Sequence, residues 1–337
     1  MKKDEQVLLA HGSGGKLMRR LIEEVFLDEF KDEALLRMED AAAVESPTAR
    51  IGISTDTYTV SPLFFPGGDI GRLAVCGTVN DVATSGARPL YLSVGFVLEE
   101  GLLIGDLERI LTSMVESAAE AGVRIVTGDT KVVERGHGDG VYINTAGVGA
   151  LADGVELSAA SIEPGDKVLI SGTLGDHGIA VVSKREGLTF STDILSDAAP
   201  LNHLVAATLE AAPNTRCFRD PTRGGLASTL NELAEASGVT IEVDEESVPV
   251  NDQVRGACEM LGYDVFQVAN EGKMVAIVPA DEAEAALAAM RSAPYGENAA
   301  IIGEVTEEST GSVYVRTTFG AKRIMDMLVG EQLPRIC

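Results

Sequence analysis

Residues 71–98 read GRLAVCGTVNDVATSGARPLYLSVGFVL, and this stretch decides the fold class. Its pattern predicts a helix over about 69–85, followed by a strand over 89–98. The carboxylate of Asp81 interrupts an otherwise small and apolar helical segment, which makes it a first candidate for a functional residue. A helix that leads directly into a strand indicates a mixed α/β architecture, in which helices cover a sheet.

The same alternation extends in both directions along the chain. Before this stretch the pattern predicts a helix over 17–30 and a strand over 50–59, and after it a helix over 105–121 and strands over 123–133 and 141–152. The order strand, helix, strand, helix, strand, strand predicts an α+β fold, a mixed α/β sandwich.

The second half alternates again, after a turn with the sequence SIEPGD that marks the domain boundary. The pattern predicts helices near 176–186, 200–212, 222–237, 251–261 and 281–292, strands near 238–243, 273–279, 299–305 and 311–317, and a last helix over 321–329. We divide the chain into 1–35, a glycine-rich loop and helix; 36–155 and 156–320, two α/β domains; and 321–337, a terminal helix and flexible tail that ends in Cys337.

Composition excludes several classes of protein. Of 337 residues, 27 are Lys or Arg and 52 are Asp or Glu, for a formal net charge of −25. Such a surface repels phosphate backbones and anionic lipids, so we expect neither nucleic-acid nor membrane binding. Cysteines 76, 217, 258 and 337 are too scattered for a disulfide framework, which predicts free thiols. With no signal peptide and no apolar run of roughly 18–20 residues, we expect a soluble, cytoplasmic protein.

A glycine-rich segment, HGSGGK at 11–16, opens directly into the first predicted helix. Backbone N–H groups at such a junction attract anions, and glycines allow a phosphate to approach closely. The candidate loop residues are Gly12, Ser13, Gly14, Gly15 and Lys16. The segment is not a Walker A loop, because Ala10 stands where that motif needs glycine. An anion-binding loop and a plain leader with a helix cap both remain open.

Acidic residues recur beside small or hydroxyl residues at the ends of predicted elements. The set is Asp40, Asp56, Asp81 and Asp129. One such residue alone is explained by helix or turn capping, whereas four together favour Mg²⁺, which takes oxygen ligands and shares them with phosphates. Lys131 follows Asp129 by two strand positions, so both side chains share a face. It is either a charge-neutralising group for phosphoryl transfer or an ordinary strand-edge charge.

Two turns in the second half also carry charged residues. RDPTRGG at 219–225 opens a predicted helix, so Arg223 indicates a further anion site and Asp220 a further metal ligand. NEGK at 270–273 contains Glu271, and its alternative is a surface hairpin. His11 and His177 lie beside glycines and are candidates to contact a ligand.

The chain ends on a thiol, Pro-Arg-Ile-Cys337, after a segment that proline keeps out of a helix. Extended at about 3.3 Å per residue, the tail beyond Gly330 reaches on the order of 20 Å. That is enough to bring the thiol to a cleft or to a partner. A chance terminal cysteine is the alternative.

Together these motifs resemble a known family over essentially the whole chain. They are HGSGGK, EDAA, STDTY, NDVATSGARP, GDTKV, RDPTRGGLA, ANEGK and the terminal PRIC. The chain is similar to the HypE family of hydrogenase maturation proteins, in the superfamily of aminoimidazole ribonucleotide synthetase and selenophosphate synthetase. The acidic motifs are shared across that superfamily, and the cysteine-terminated tail is specific to this family. Glu39-Asp40 departs from the two aspartates that relatives often have.

The resemblance implies a fold, a reaction and partners. It implies a homodimer in which the N-terminal sheets form a barrel, with ATP and Mg²⁺ bound by the 36–155 domain. The implied reaction is ATP-dependent dehydration of a carbamoyl group, placed on Cys337 by the carbamoyltransferase HypF, to a thiocyanate. The cyano group then passes to iron held by the HypC–HypD complex, for the active centre of a [NiFe] hydrogenase.

Within that reaction the resemblance implies roles for the candidate residues. Asp40, Asp56, Asp81 and Asp129, with Asp220, hold Mg²⁺ and orient ATP. Lys131 steadies the charge on the carbamoyl oxygen, and Glu271 removes the N–H protons as C≡N forms. Two alternatives remain: a small-molecule ATP-dependent kinase or synthetase of the same superfamily, and a non-catalytic thiol carrier.

Overall fold

The computed structural model describes residues 1–3, 5–12, 16–36, 44–188, 194–327, 333 and 336, with Gly12 and Lys16 described by their backbone alone. The helices are α1 (Lys16–Leu21), α2 (Asp28–Phe30), α3 (Glu33–Leu36), α4 (Ile70–Thr84), α5 (Ile104–Ala121), α6 (Asp176–Glu186), α7 (Asn202–Ala211), α8 (Gly225–Ser237), α9 (Asp252–Leu261) and α10 (Ala283–Ser292). A π-helical turn, Ile22–Leu27, joins α1 to α2, so the helix predicted over 17–30 is not one regular helix. None of the helices in these ranges is long and apolar enough to cross a membrane.

The strands of the described chain are as follows. They are β1 (Arg50–Tyr58), β2 (Phe64–Phe65), β3 (Gly68–Asp69), β4 (Arg88–Glu99), β5 (Arg124–Val133), β6 (Val141–Leu151), β7 (Lys167–Ile170), β8 (Cys217–Arg219), β9 (Thr240–Asp244), β10 (Val275–Val278), β11 (Ala300–Thr306), β12 (Val313–Arg316) and β13 (Lys322–Ile324). The mixed α/β fold predicted from the sequence is confirmed.

The first sheet has the order β1-β6-β4-β5. β4 and β5 run parallel because α5 crosses over between them, whereas β6 pairs antiparallel with both β1 and β4. Alternate residues of β4, from Leu92 to Leu98, are buried on the side that α4 and α5 cover. The opposite side chains remain half-exposed, so this sheet has one covered face and one open face.

Helix α4 joins the two halves of the molecule. Asp69 caps its start by accepting hydrogen bonds from the N–H groups of Gly71 (2.7 Å) and Arg72 (3.1 Å). One side of α4 contacts β1 and β6, and the helix also contacts α7 and β8 of the second half. It is therefore buried almost all round, which explains its apolar sequence.

The second sheet has the order β13-β12-β9-β11-β7-β10-β8. Its neighbours are antiparallel except for β9 and β12. The terminal helix predicted over 321–329 is wrong in its described part, since Lys322–Ile324 pairs with β12 instead. A tight turn at Gly320, whose φ is +77°, returns the chain along β12, and the open hydrogen bonds of that edge outweigh the weak helical pattern.

Close packing of α4 on α5 predicts a position that tolerates no side chain. A Cβ at Gly71 would lie 2.4 Å from the carbonyl oxygen of Ile110, so Gly71→Ala must push the helices apart. We expect a loss of about 1–3 kcal/mol in the free energy of unfolding. The control is Gly256→Ala in α9, which meets nothing within 4 Å and is expected to stabilise by about 0.5–1 kcal/mol. Thermal and urea midpoints of both variants test this, and equal midpoints would contradict it.

Candidate active site

Two aspartates meet on the covered face of the first sheet. Alternation along β1 directs Ser54 and Asp56 toward α4, which carries Asp81 on its last turns. The Ser54 hydroxyl donates a hydrogen bond to Oδ2 of Asp81 at 2.8 Å, and the N–H of Thr57 donates to Oδ1 of Asp56 at 2.7 Å. Ser54 and Asp81, which are 27 residues apart in the sequence, are thus brought into contact.

A third carboxylate, that of Asp220, joins them from the second half. It directly follows β8, which contacts α4. Burial, and then the negative charges of Asp81 and Asp56, raise the pKa of Asp220 to about 7. Burial also raises the pKa of Asp81, although the Ser54 hydrogen bond partly offsets this, and Asp56 raises it further. We call Asp56, Asp81 and Asp220 the acidic cluster.

The acidic cluster fits a cation that keeps part of its water shell. Nη2 of Arg223 lies 4.0 Å from Oδ1 of Asp56, on a side chain that is 72% exposed. Within the described ranges, no three His, Cys, Asp or Glu side chains lie close enough to ligate one metal directly. Mutual repulsion among the three carboxylates nevertheless favours a bound positive charge, and Mg²⁺ commonly retains several waters beside one or two carboxylates. The cluster therefore has the charge that would attract Mg²⁺.

Asp129 and Lys131 lie on the other face of the same sheet. Thr57, Asn144, Gly95 and Asp129 are cross-strand partners in one row, so their side chains share a face. Asn144 Nδ2 donates to Thr57 Oγ1 at 2.9 Å, and Asp129 and Lys131 are both exposed on this face, the shared face that their spacing predicted. Asp56 lies in the adjacent row on the covered face, three strand spacings or about 14 Å away. Within one chain, the sheet separates Asp129 and Lys131 from the acidic cluster.

The turn 270–273 is buried, so the surface-hairpin interpretation is wrong. Asn270, Glu271 and Lys273 each have at most 8% of their surface exposed. The Asn270 side chain accepts a hydrogen bond from the N–H of Gly175 at 2.7 Å and donates one to the carbonyl of Pro221 at 2.8 Å. The turn is thereby fixed between the start of α6 and the loop that carries Asp220.

A segment over 194–201, which we call the linking segment, holds this turn in place. Oδ1 of Asp197 accepts the N–H of Glu271 at 3.0 Å, and Oδ2 lies 3.1 Å from Nζ of Lys273. A Cβ at Gly272 would lie 1.7 Å from the Asp197 carbonyl, so only glycine fits there. Sequence reasoning missed Asp197, although an aspartate in the apolar run ILSDAAPL is the same signal that identified Asp81.

The linking segment also binds to α4. Asn80 Nδ2 donates to the carbonyl of Ala199 at 3.0 Å, and its Oδ1 accepts the N–H of Leu201 at 2.7 Å. Arg72 Nε donates to the carbonyl of Ala198 at 2.6 Å. Asn80, next to Asp81 in sequence, is therefore a structural residue that fixes α4 against the second half.

The pKa of buried Tyr58 responds to the charges of both Glu271 and the acidic cluster. Burial raises the pKa of Tyr58 well above its usual value, and the charges of Asp56, Glu271 and Asp81 raise it further. The structure therefore brings Asp56, Asp81, Asp220, Arg223 and Glu271 into one region. The predicted residues Ser13, Gly14, Gly15, Asp40 and Cys337 lie outside the described residues, as does the side chain of Lys16.

The end of the chain returns to this region. The sequence predicts a flexible tail long enough to reach a cleft or a partner, and its two described residues, Leu333 and Ile336, are buried. Both belong to the hydrophobic core that contains Ile179 of α6 and Val268, close to the 270–273 turn. Cys337, which follows Ile336 directly, is thus joined to a buried residue.

Comparison with known proteins identifies the family. Residues 38–151 match the N-terminal domain of AIR synthase related proteins, and residues 163–316 match their C-terminal domain. The chain is 55% identical to carbamoyl dehydratase HypE of Azotobacter vinelandii over 335 residues, which are 99% of this chain and 98% of that protein. The chain belongs to the HypE family of carbamoyl dehydratases. The predicted family and enzyme class, with a role in hydrogenase maturation, are confirmed.

Solved HypE structures share the fold of this family member. A crystal structure of the hydrogenase maturation protein HypE in complex with ATP is 50% identical and superposes with a TM-score of 0.94, over 98% of this chain and 99% of that one. HypE in a crystal structure of the HypE–HypF complex is 51% identical, with a TM-score of 0.81 over 91% of this chain and 99% of that one.

Repulsion within the acidic cluster predicts how stability depends on pH. The folded pKa of Asp220, about 7, lies above its ordinary value of 3.8, so stability is lost as the pH rises from about 4 through 7. Asp220→Asn removes the charge and is expected to stabilise the nucleotide-free protein at pH 8 by on the order of 1–3 kcal/mol, and by a smaller amount at pH 5. The exposed Asp281→Asn is the control. Thermal unfolding at both pH values tests this, and a pH-independent difference would contradict it.

Proposed function

We propose that this chain carries out the dehydration on its own C-terminal thiol, with ATP and Mg²⁺. The observation that supports this is the burial of Ile336, one residue before Cys337, in the core beside the Glu271 turn. A carrier that only presents a thiol to a partner would gain nothing from a buried tail. A small-molecule kinase would have no use for the cysteine.

ATP is needed because an amide oxygen is a poor leaving group. The carbamoyl oxygen on the Cys337 thioester attacks the γ-phosphorus, which releases ADP and forms an O-phosphorylated intermediate. Loss of the phosphate, with the two N–H protons removed, then leaves S–C≡N, so the carbamoyl oxygen departs in inorganic phosphate. Glu271 is the base that we assign to the N–H protons. Its buried position excludes water, which would otherwise hydrolyse the intermediate.

The acidic cluster and Arg223 form the phosphate side of the proposed site. Mg²⁺, when bound by Asp56, Asp81 and Asp220, with Asp40 and Asp129 as further predicted ligands, would supply positive charge beside the triphosphate. The loop from Gly12 to Lys16 is proposed to bind the same phosphates, because Lys16 begins α1 and the loop therefore precedes a helix. Ser54 and Thr57 hold the carboxylates in place through the hydrogen bonds described above.

Lys131 and Asp129 are further predicted site residues, and their position on the sheet points to a second copy of the chain. They lie on the open face of the first sheet, where Ile51 and Ile53 are 47% and 67% exposed. An apolar open sheet face is typically covered by another layer, and the same face of a second copy would close the two sheets into a barrel. In this arrangement Lys131 would lie at the interface between the two copies, on the barrel side of its sheet, and its proposed charge-neutralising role would be exercised there rather than at the acidic cluster of its own chain.

HypF and the HypC–HypD complex are the partners that we propose before and after the dehydration. A related HypE has been solved in complex with HypF. The carbamoyl group must come from a donor enzyme, and the cyano group must go to an iron acceptor, because nothing in the chain supplies either. Both exchanges require that the tail, whose residue Ile336 is buried, also release Cys337 to the partner.

Intact mass of the chain tests the proposed reaction. Incubation with HypF, carbamoyl phosphate and MgATP is expected to add one carbamoyl group and then remove one water. Glu271→Gln keeps the buried volume and should stop at the carbamoyl stage, slowed by about 10²-fold or more. The exposed Glu235→Gln should behave as the parent. Cys337→Ser should gain no mass yet still bind ATP, whereas full hydrogenase maturation by this variant would indicate the small-molecule alternative.

Light scattering tests the proposed second copy. Ile53→Lys places a charge in the proposed barrel, where burying it unpaired is costly, so we expect dimers to dissociate at least about tenfold more readily. Ile324→Lys, at an equally exposed isoleucine on the β13 edge, should leave the dimer intact. A monomeric parent, or a dimer that tolerates both changes, would contradict the assignment of this face.

A further inference from the structure

One buried histidine makes contact with the end of the chain. His177, the second residue of α6, has no exposed surface. Its Nε2 lies 2.8 Å from the carbonyl oxygen of Ile336, and its Nδ1 lies 2.8 Å from Oγ of Ser196 in the linking segment. The edge of the ring meets Phe65, with the two ring centroids 5.4 Å apart.

The hydrogen bonds define how this histidine is protonated. A carbonyl oxygen only accepts, so Nε2 must carry the proton that it donates to Ile336. Ser196 Oγ already accepts the N–H of Ala198 at 3.1 Å, which leaves its own proton for Nδ1 of His177. Burial lowers the pKa of His177, in keeping with this neutral form. The ring is therefore held in one tautomer and one orientation, aimed at the chain terminus.

Apolar contacts support the same docked position. A Cβ on Gly178 would come within 3.2 Å of Cδ1 of Leu333 and 2.4 Å of Cγ1 of Val268, so the missing side chain makes room for the tail. Leu333 and Ile336 are both buried against the core. The first turn of α6 thus binds the tail by two independent means, a hydrogen bond and a glycine cleft.

The first turn of α6 is also fixed to the turn that carries Glu271. The N–H of Gly175 donates to Asn270 at 2.7 Å, and the N–H of Gly178 donates to the carbonyl of Ala269 at 3.1 Å. Ser196, which holds His177, is followed by Asp197, which holds the N–H of Glu271 at 3.0 Å. His177 and Glu271 are therefore positioned by the same short pieces of backbone.

We propose that His177 is a positioning residue, which holds the Ile336 carbonyl so that the modified Cys337 thiol is kept beside Glu271 during dehydration. The proposal rests on the proposed function for its catalytic consequence. Its structural part, a tail docked through the Nε2 hydrogen bond, stands without that function. Loss of the bond should release the terminal thiol to solvent while the site residues stay in place.

Reactivity of the Cys337 thiol measures this docking without any enzymatic activity. Cys76, Cys217 and Cys258 are buried, and burial raises the pKa of their thiols to about 12, 12 and 11. A fast phase with a thiol reagent such as dithionitrobenzoate in the folded, nucleotide-free protein is therefore assigned to Cys337, and Cys337→Ser should abolish it.

Two variants at position 177 separate the hydrogen bond from the volume of the ring. His177→Phe keeps an aromatic ring against Phe65 but has no N–H, and we expect the fast phase to accelerate about tenfold, the effect of one buried hydrogen bond. His177→Gln places an amide N–H near the position of Nε2 and should restore the parent rate. Ser196→Ala, which removes the donor to Nδ1, should give an intermediate rate.

For catalysis, the proposal predicts that loss of the His177 hydrogen bond slows the dehydration but not the preceding carbamoylation. With HypF, carbamoyl phosphate and MgATP, His177→Phe should accept the carbamoyl group at least as fast as the parent but lose water about tenfold more slowly, and His177→Gln should recover both rates. Equal thiol reactivity in parent and His177→Phe, both folded by circular dichroism, would overturn the proposal. If the thiol reacts faster in His177→Phe than in the parent but the parent never dehydrates its carbamoyl group, the docking stands and the proposed function is refuted.

Discussion

A buried ion pair between Asp197 and Lys273 is the interaction on which the site depends. The two side chains are 4% and 9% exposed, so both charges have left most of their water. Such a pair is tolerable only with good geometry and further hydrogen bonds, and removal of one partner typically costs about 3–5 kcal/mol. Here the second oxygen of Asp197 accepts the N–H of Glu271. The pair therefore fixes the backbone of Glu271 at the same time as it neutralises the carboxylate.

The linking segment carries this constraint to the rest of the molecule. Its carbonyl and N–H groups bind Arg72 and Asn80 of α4, the helix that brings Asp81 to the acidic cluster. Ser196, one residue before the ion pair, holds His177 against the tail. One stretch of eight residues thus links three parts: the acidic cluster, the Glu271 turn and, through His177, Ile336 near the C-terminus. It explains how residues from both halves of the chain form one site.

Much of the fold could be predicted from local patterns, because strand alternation and helical spacing are read over a few residues. The segment around Asp81 and the element order of both halves are examples. The strand Lys322–Ile324 could not be predicted in this way, because it forms through edge hydrogen bonds to β12 rather than from its own sequence. Likewise the 270–273 turn has the composition of a surface hairpin. It is buried because Asp197, 74 residues earlier, accepts the hydrogen bond of the Glu271 N–H. The sheet face of Asp129 depends on a register that no motif encodes.

Charge balance limits what the acidic cluster can bind by itself. The cluster holds three carboxylates, with Arg219 and Arg223 as nearby cations, and a bound triphosphate would add further negative charge. Lys131 lies behind the sheet, about 14 Å across it from β1. With an overall charge of −25, the rest of the protein surface supplies little positive charge to compensate the carboxylates and the triphosphate. We propose that Mg²⁺ and the glycine-rich loop supply the positive charge that the triphosphate needs. In the same proposal the open sheet face, with its exposed isoleucines beside Asp129 and Lys131, is the surface on which a second copy assembles.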